Sequence, residues 1–360
     1  MTIAKIWARH LACFVVPLAS LAFVLTGPHH WYGALPFLLV IVGSVVADFR
    51  SGPERRQPLP DTPAWPFDLV LYALVAIQVA NVVLLARMIA APDPSLVDAV
   101  VDGWVGIVMV GVSSGYSGIV VAHELIHRKE NHMRQLGRLL LVTVAYEHFY
   151  TEHVRGHHKR VGTPEDPATA RFGETFPRFK WRTIPAQFKS AWNLEKKRLG
   201  RDHWKPWKNR VSQGVVAEIA FAAALGLAFG PWALLVHLIQ AHVAVTLLEC
   251  VNYFEHWGLV RRGKKVTAVD SWDTDSAFTY YTLVGLSRHA DHHALASRPY
   301  QDLRHVDESP KLPVGYFGMV VWILLGNSKK LRARMTEELE RRRLGPFADT
   351  GAPPAPAEAA

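Results

Sequence analysis

The sequence predicts an all-α, polytopic membrane protein: six transmembrane helices carrying a histidine-rich, metal-binding cap on the cytoplasmic side. Three observations predict it. Half of the 360 residues are hydrophobic and a fifth are charged, with mean hydropathy +0.08, and the apolar residues are segregated into six runs. Most of these runs approach the ~20 residues that cross a hydrocarbon core. Lys and Arg fall between the runs in an alternating pattern, and nine of the 18 histidines fall into four short clusters.

The runs are Leu11–Leu25, Ala34–Phe49, Phe67–Ala91, Trp104–Ala122, Val215–Phe229 and Trp232–Val251. Lys5 and Arg9 precede the first, and Arg50, Arg55 and Arg56 separate the second from the third. The connections Gly27–Gly33 and Pro92–Gly103 hold no Lys or Arg, and the latter holds Asp93, Asp98 and Asp102. Gly230-Pro231 is a tight outer turn between the fifth and sixth. By the positive-inside rule both termini and the segments 123–214 and 252–346 face the cytoplasm, in a cell inner membrane. The first run has a basic lead like a signal peptide but no convincing cleavage site. One domain is expected over 1–346, followed by a disordered tail at 347–360, with the low-complexity GAPPAPAEAA from Gly351.

The histidine clusters are His123 and His127 in HELIH, His153, His157 and His158 in HVRGHH, His256 in NYFEHWG, and His289, His292 and His293 in RHADHH. On a helix, a spacing of three or four places the rings on one face, close enough to share an ion. Imidazole suits zinc, copper, iron and nickel. Nine ligands are too many for one tetrahedral zinc, so the count asks for two metals. His10, His29, His30, His132, His148, His203, His237, His242 and His305 read as packing, interfacial or surface residues. The topology places all four clusters on the cytoplasmic side, at or beyond the ends of the fourth and sixth helices.

Carboxylates adjoin the ligands: Glu124, Glu152, Glu255 and Asp291. Such groups commonly hold the second imidazole nitrogen and fix the ring, and that is the role expected of them. His242, Thr246, Glu249, Asn252 and His256 recur at three- and four-residue steps as a polar stripe on the sixth helix. A carboxylate at membrane depth such as Glu249 is costly, and either faces a cavity or the metals or is hydrogen-bonded in the bundle.

Composition excludes other classes. Cys13 and Cys250 both lie in apolar runs, which rules out a disulfide framework and a fused four-thiolate iron domain. The net charge of +9 fits loops facing anionic lipid better than nucleic acid. Arg178–Arg210 mixes eleven Lys/Arg with Trp181, Trp192, Trp204 and Trp207. This is an interfacial, membrane-anchoring pattern, and alternatively a docking face for an acidic electron carrier. HELIH also matches the H-E-x-x-H zinc-protease signature, with Glu124 as general base, but that reading leaves seven clustered histidines unused.

The strings HELIHR, FYTEHVRGHHKRVGTPEDPATAR, NYFEHWGL and LSRHADHHALASRPYQDLRHVDESPKLPVGY make the chain resemble the membrane-bound alkane 1-monooxygenase family, among the integral-membrane desaturases and hydroxylases. The resemblance runs from about Ala122 to Tyr316. Desaturases generally lack the long EHVRGHH…TPEDPATAR string. Trp257 stands where the family usually has tyrosine, and RPYQ replaces a common RRYQ; neither change touches a ligand, and Trp257 bears on the pocket wall or a hydrogen bond.

The resemblance implies two iron ions held by the nine clustered histidines. It implies O2 as oxidant and electrons from NADH through a reductase and a rubredoxin-like carrier. The implied reaction converts the terminal methyl of an n-alkane to a primary alcohol. Hydroxylation of a methyl group on an aromatic ring, as in xylene and cymene monooxygenases, is the alternative. The apolar substrate is expected to enter from the bilayer among the second, third and fourth helices, with Trp104 and Met109 as candidate lining residues.

Overall fold

The computed structural model describes residues 2–91, 95–326 and 328–348. Its described residues are helical and irregular, with two isolated β-bridges and no strand. Six helices are long and apolar enough to span a membrane: α1 (Ile3–Thr26), α2 (Trp31–Phe49), α3 (Trp65–Ala90), α4 (Leu96–Ile126), then α8 (Arg210–Phe229) and α9 (Pro231–His256). Between α4 and α8 lie α5 (Asn131–Val142), α6 (His148–Glu152) and α7 (Phe176–Leu199). After α9 come α10 (Ala277–Thr282), α11 (His289–Ala294), α12 (Tyr316–Leu324) and α13 (Ser328–Arg342).

Each spanning helix starts before its apolar run, because the opening turns are polar or capped. The Ser95 hydroxyl accepts from Asp98 N at 3.1 Å to start α4, and Asn209 Oδ1 accepts from Val211 N and Ser212 N to start α8. Pro36 sits where α2 passes through a 3-10 turn at Leu35–Leu38, the local geometry that a missing N–H allows. α1, α4 and α9 also end later than their runs. His123 and His256 therefore stand on the last turns of α4 and α9, within spanning helices rather than in the 123–214 and 252–346 segments. Apolar content stops at the ligands; backbone hydrogen bonding does not.

The bundle is centred on α4, α9 and α3, with α1 against α3 and α4. α8 covers one side of α9, and α2 packs against both α4 and α12. Gly230 (φ +90°) makes the turn from α8 into α9, a backbone region that favours glycine. At the α4 end far from HELIH, Asp98 accepts from Trp31 N (2.8 Å) and Asp102 pairs with the His29 ring (2.8 Å). These contacts clamp the α1–α2 connection onto α4. Of the expected tail, Phe347 packs on the Phe172 ring at 5.7 Å, and residues 349–360 lie outside those described.

Candidate metal centre

The four clusters, scattered over 170 residues of chain, converge. α4 carries His123 and His127 one turn apart; α9 ends in His256; the single turn of α11 carries His289, His292 and His293. The HVRGHH cluster follows α6 directly and is a π-helical turn, His153–His157. That turn has a consequence for the site. In an α-helix, positions i and i+5 point about 140° apart, whereas i→i+5 hydrogen bonding brings residue 158 back over residue 153. The Nε2 atoms of His153 and His158 come to 3.0 Å.

The result is two groups, His123, His127, His153, His158 and His292 in one and His157, His256, His289 and His293 in the other. Within each, the donor atoms lie within 4.8 Å of one another. Nε2 of His158 is also 3.2 Å from that of His292, and Nε2 of His289 is 2.9 Å from His293 and 3.3 Å from His256. A neutral imidazole has one N–H, so such hubs cannot satisfy every neighbour. The Nε2 atoms of His123, His127 and His157 are buried with no hydrogen-bond partner, each a cost of roughly 1–3 kcal/mol unless something fills it. Burial first, and neighbouring imidazoles second, hold His127, His153, His158, His289, His292 and His293 well below the usual histidine range. Neutral, converging, unsatisfied imidazoles are the form that ligates a cation. The residues present therefore fit two metal ions. The other nine histidines stand outside both groups; His10, for instance, is boxed by the rings of Phe67, Tyr280, Tyr281 and Tyr300.

The carboxylates require a correction. Glu124 accepts from Arg128 Nε (2.7 Å) and Tyr300 N (3.2 Å), Glu152 from Arg160 (2.6 Å), and Asp291 from Arg298 (2.5 Å) and Arg304 (2.9–3.0 Å). Glu249 accepts from Gln187 (2.9 Å), Tyr146 (3.1 Å) and Asn252 (3.2 Å), a packing contact within the bundle. Glu255 accepts from the Tyr316 hydroxyl at 2.6 Å and reaches His289 at 3.2 Å, but on its ligating Nε2 side. Next-door residues on a helix point about 100° apart, so a carboxylate adjacent in sequence to a ligand faces elsewhere. The carboxylate at a far imidazole nitrogen is Asp166, whose Oδ2 lies 2.9 Å from His157 Nδ1 and accepts from Thr169 Oγ1 at 2.6 Å. Burial raises its pKa, but His157 and these hydrogen bonds outweigh that and leave it below the usual range. Its signal in the sequence was the Pro-bracketed TPEDP turn nine residues after His157.

A cavity of about 250 Å³ opens onto the centre. Its walls include Ile41 and Val45 of α2, Tyr116 and Val120 of α4, Val251 of α9 and Val320 of α12, and it ends on His123, His153, His289 and Glu255. No residue of α3 lines it. Behind α4, α3 is engaged in polar and apolar packing, and α12, unmarked in the sequence, supplies the missing wall. Trp104 is half exposed on the outer surface, and Met109 is fully buried in a separate packed cluster with Phe23 and Leu85; neither reaches the cavity. Trp257 is also away from it, donating from Nε1 to Glu174 O at 3.2 Å.

Comparison with known proteins agrees with this geometry. A family model described as fatty acid desaturase matches residues 101–320. Alkane 1-monooxygenase 1 of Pseudomonas aeruginosa is 44% identical over 236 residues, 62% of each chain, so this alignment spans under two thirds of that relative. Alkane 1-monooxygenase 2 of the same organism is 38% identical over 305 residues, 81% of this chain and 78% of the relative. The xylene/toluene monooxygenase hydroxylase component of Pseudomonas putida is 25% identical over 327 residues, 88% of this chain and 85% of the relative. Six apolar spanning helices and these matches make the chain an integral membrane protein. It belongs to the fatty acid desaturase family and, within it, to the membrane-bound alkane 1-monooxygenases.

Proposed function

We propose that this chain is a di-iron monooxygenase that hydroxylates the terminal methyl of n-alkanes. The observation that carries the reading is an apolar cavity, at the level of the spanning helices, ending on His123, His153 and His289 of the nine converging histidines. The balanced reaction is R–CH3 + O2 + 2 e⁻ + 2 H⁺ → R–CH2OH + H2O. Iron held by His123, His127, His153, His158 and His292 and by His157, His256, His289 and His293 would supply the activation of O2. Imidazole alone does not choose among first-row metals, and iron rests on the family.

The chain's own residues do the rest. The aliphatic walls bind a hydrocarbon by removing it from water and lipid disorder, aligned with its end toward the histidines. They also keep bulk water from the reacting end. Tyr316 fixes the Glu255 carboxylate at the cavity floor, beside His289. Electrons come from a rubredoxin-like carrier reduced from NADH, docking on the basic cytoplasmic face; Trp181, Trp204 and Trp207 of that face are over 70% exposed. The protein resides in the inner membrane with both termini and the metal centre cytoplasmic, as one domain over 1–346 to which Phe347 also packs, with a disordered tail beyond it.

Hydroxylation of an aromatic methyl group is the second reading, favoured by the likeness to the xylene/toluene component. The zinc-protease reading of HELIH fares badly, because Glu124 is locked to Arg128 and Tyr300 N rather than free to activate water. The deciding experiment reconstitutes the full chain with rubredoxin, its reductase and NADH, and offers graded n-alkanes beside p-xylene. Primary alcohols from the alkanes are expected; benzylic alcohol alone would overturn the choice.

A further inference from the structure

α4 is not α-helical throughout. Residues Ser114–Val120 form a π-helical turn, directly before the turn that carries His123 and His127. A π turn amounts to one inserted residue and turns everything beyond it by about 100° relative to an uninterrupted helix. The orientation of both histidines, and of the cavity residues Tyr116 and Val120, therefore depends on this turn being kept. Its hydrogen bonds are poorer than those of an α-helix, and in a membrane nothing solvates the misfit.

Two glutamines from neighbouring spans hold it. Gln78 of α3 donates from Nε2 to Ser114 Oγ (2.9 Å) and Thr143 Oγ1 (3.1 Å), and its Oε1 accepts from Ser117 Oγ (3.1 Å). Gln240 of α9 accepts from Ser114 Oγ (2.8 Å) and donates to Thr143 O (3.2 Å). Gln78, Gln240, Ser114, Ser117 and Thr143 are all fully buried. Gly118 leaves the space: a Cβ there would stand 3.2 Å from Gln78 Nε2. Buried amides at membrane depth are costly and are placed for a reason: three of these five bonds reach one turn of α4, and the other two tie the same glutamines to Thr143.

We propose that Gln78 and Gln240 are positioning residues that hold the π turn of α4, and through it aim His123 and His127 at the five-histidine group. The inference rests on the two-metal reading above. It has an asymmetric consequence, because the four-histidine group takes no ligand from α4.

The test is cobalt(II) titration of the metal-free full-length chain and of Gln78→Leu and Gln240→Leu, with Ser114→Ala as a milder variant. The expected result is that one of the two sites weakens about tenfold or more while the other keeps its wild-type affinity. Thermal unfolding of the metal-free chain should change little in Ser114→Ala. Product analysis with n-octane should show secondary alcohols rising relative to the primary one. Two sites of wild-type affinity in all three variants would overturn the proposal. So would equal weakening of both sites together with a lowered Tm, which a merely structural role predicts. The metal titration reads the proposal even if the chain oxidises no alkane, so its failure is distinct from failure of the functional reading.

Discussion

Asp166 Oδ2 lies 2.9 Å from His157 Nδ1, with both side chains buried, while His157 Nε2 points without a partner into the four-histidine group. The carboxylate fixes which nitrogen carries the proton and which is free to ligate. Asp166→Ala should weaken metal binding about 10- to 100-fold at that group, read by metal titration. An unchanged affinity would show that the ring needs no such partner.

His157→Ala and His292→Ala strike different groups. Each should lower bound iron and abolish turnover, measured as iron per chain and alcohol formed. Retained turnover in either variant would sink the ligand assignment.

The cavity assigns part of its wall to α12. Val320→Trp should shorten the longest n-alkane converted, whereas a change at Trp104, which faces outward, should not. Competition between alkanes of different length, with product ratios by gas chromatography, reads the difference.

Gly111 marks a close approach of α4 to α9. A Cβ there would stand 2.8 Å from Val243 Cβ and 3.2 Å from Gln240 O. Gly111→Ala should cost about 1–3 kcal/mol through overpacking, seen as a lower Tm in detergent.

Glu147 is buried at the N-terminal end of α6, and burial pushes its pKa up to about 7 against the opposing pull of Arg138. The folded protein thus holds this proton more tightly than the unfolded chain. The contribution to stability is full below about pH 4.5 and is lost as pH rises through about 7. Glu147→Gln should flatten the fall in Tm between pH 5 and 8; an unchanged profile would argue that Glu147 is already ionised across that range.

The nine histidines and the six spans were legible because both are local patterns. Imidazoles three or four residues apart share a face, and apolar runs of sufficient length need a membrane whatever they pack against. The carboxylates were misread for the same local reason. Adjacency in sequence put Glu124, Glu152 and Asp291 beside ligands, yet helix geometry turned each toward an arginine. Asp166 reaches its histidine only because a Pro-bracketed turn folds back.

The sequence by itself determined the class of the chain, the identity of the clustered histidines and the chemistry that neutral imidazoles can support, since these follow from residue type and spacing. The tertiary structure alone decided how the nine divide into five and four, which carboxylate touches a ring, and that α12 rather than α3 walls the cavity. Those outcomes depend on two π turns and on which helices meet. They are set by packing and hydrogen bonds that periodicity does not encode, from the His157–Asp166 contact nine residues apart to the Ser114–Gln240 contact 126 apart.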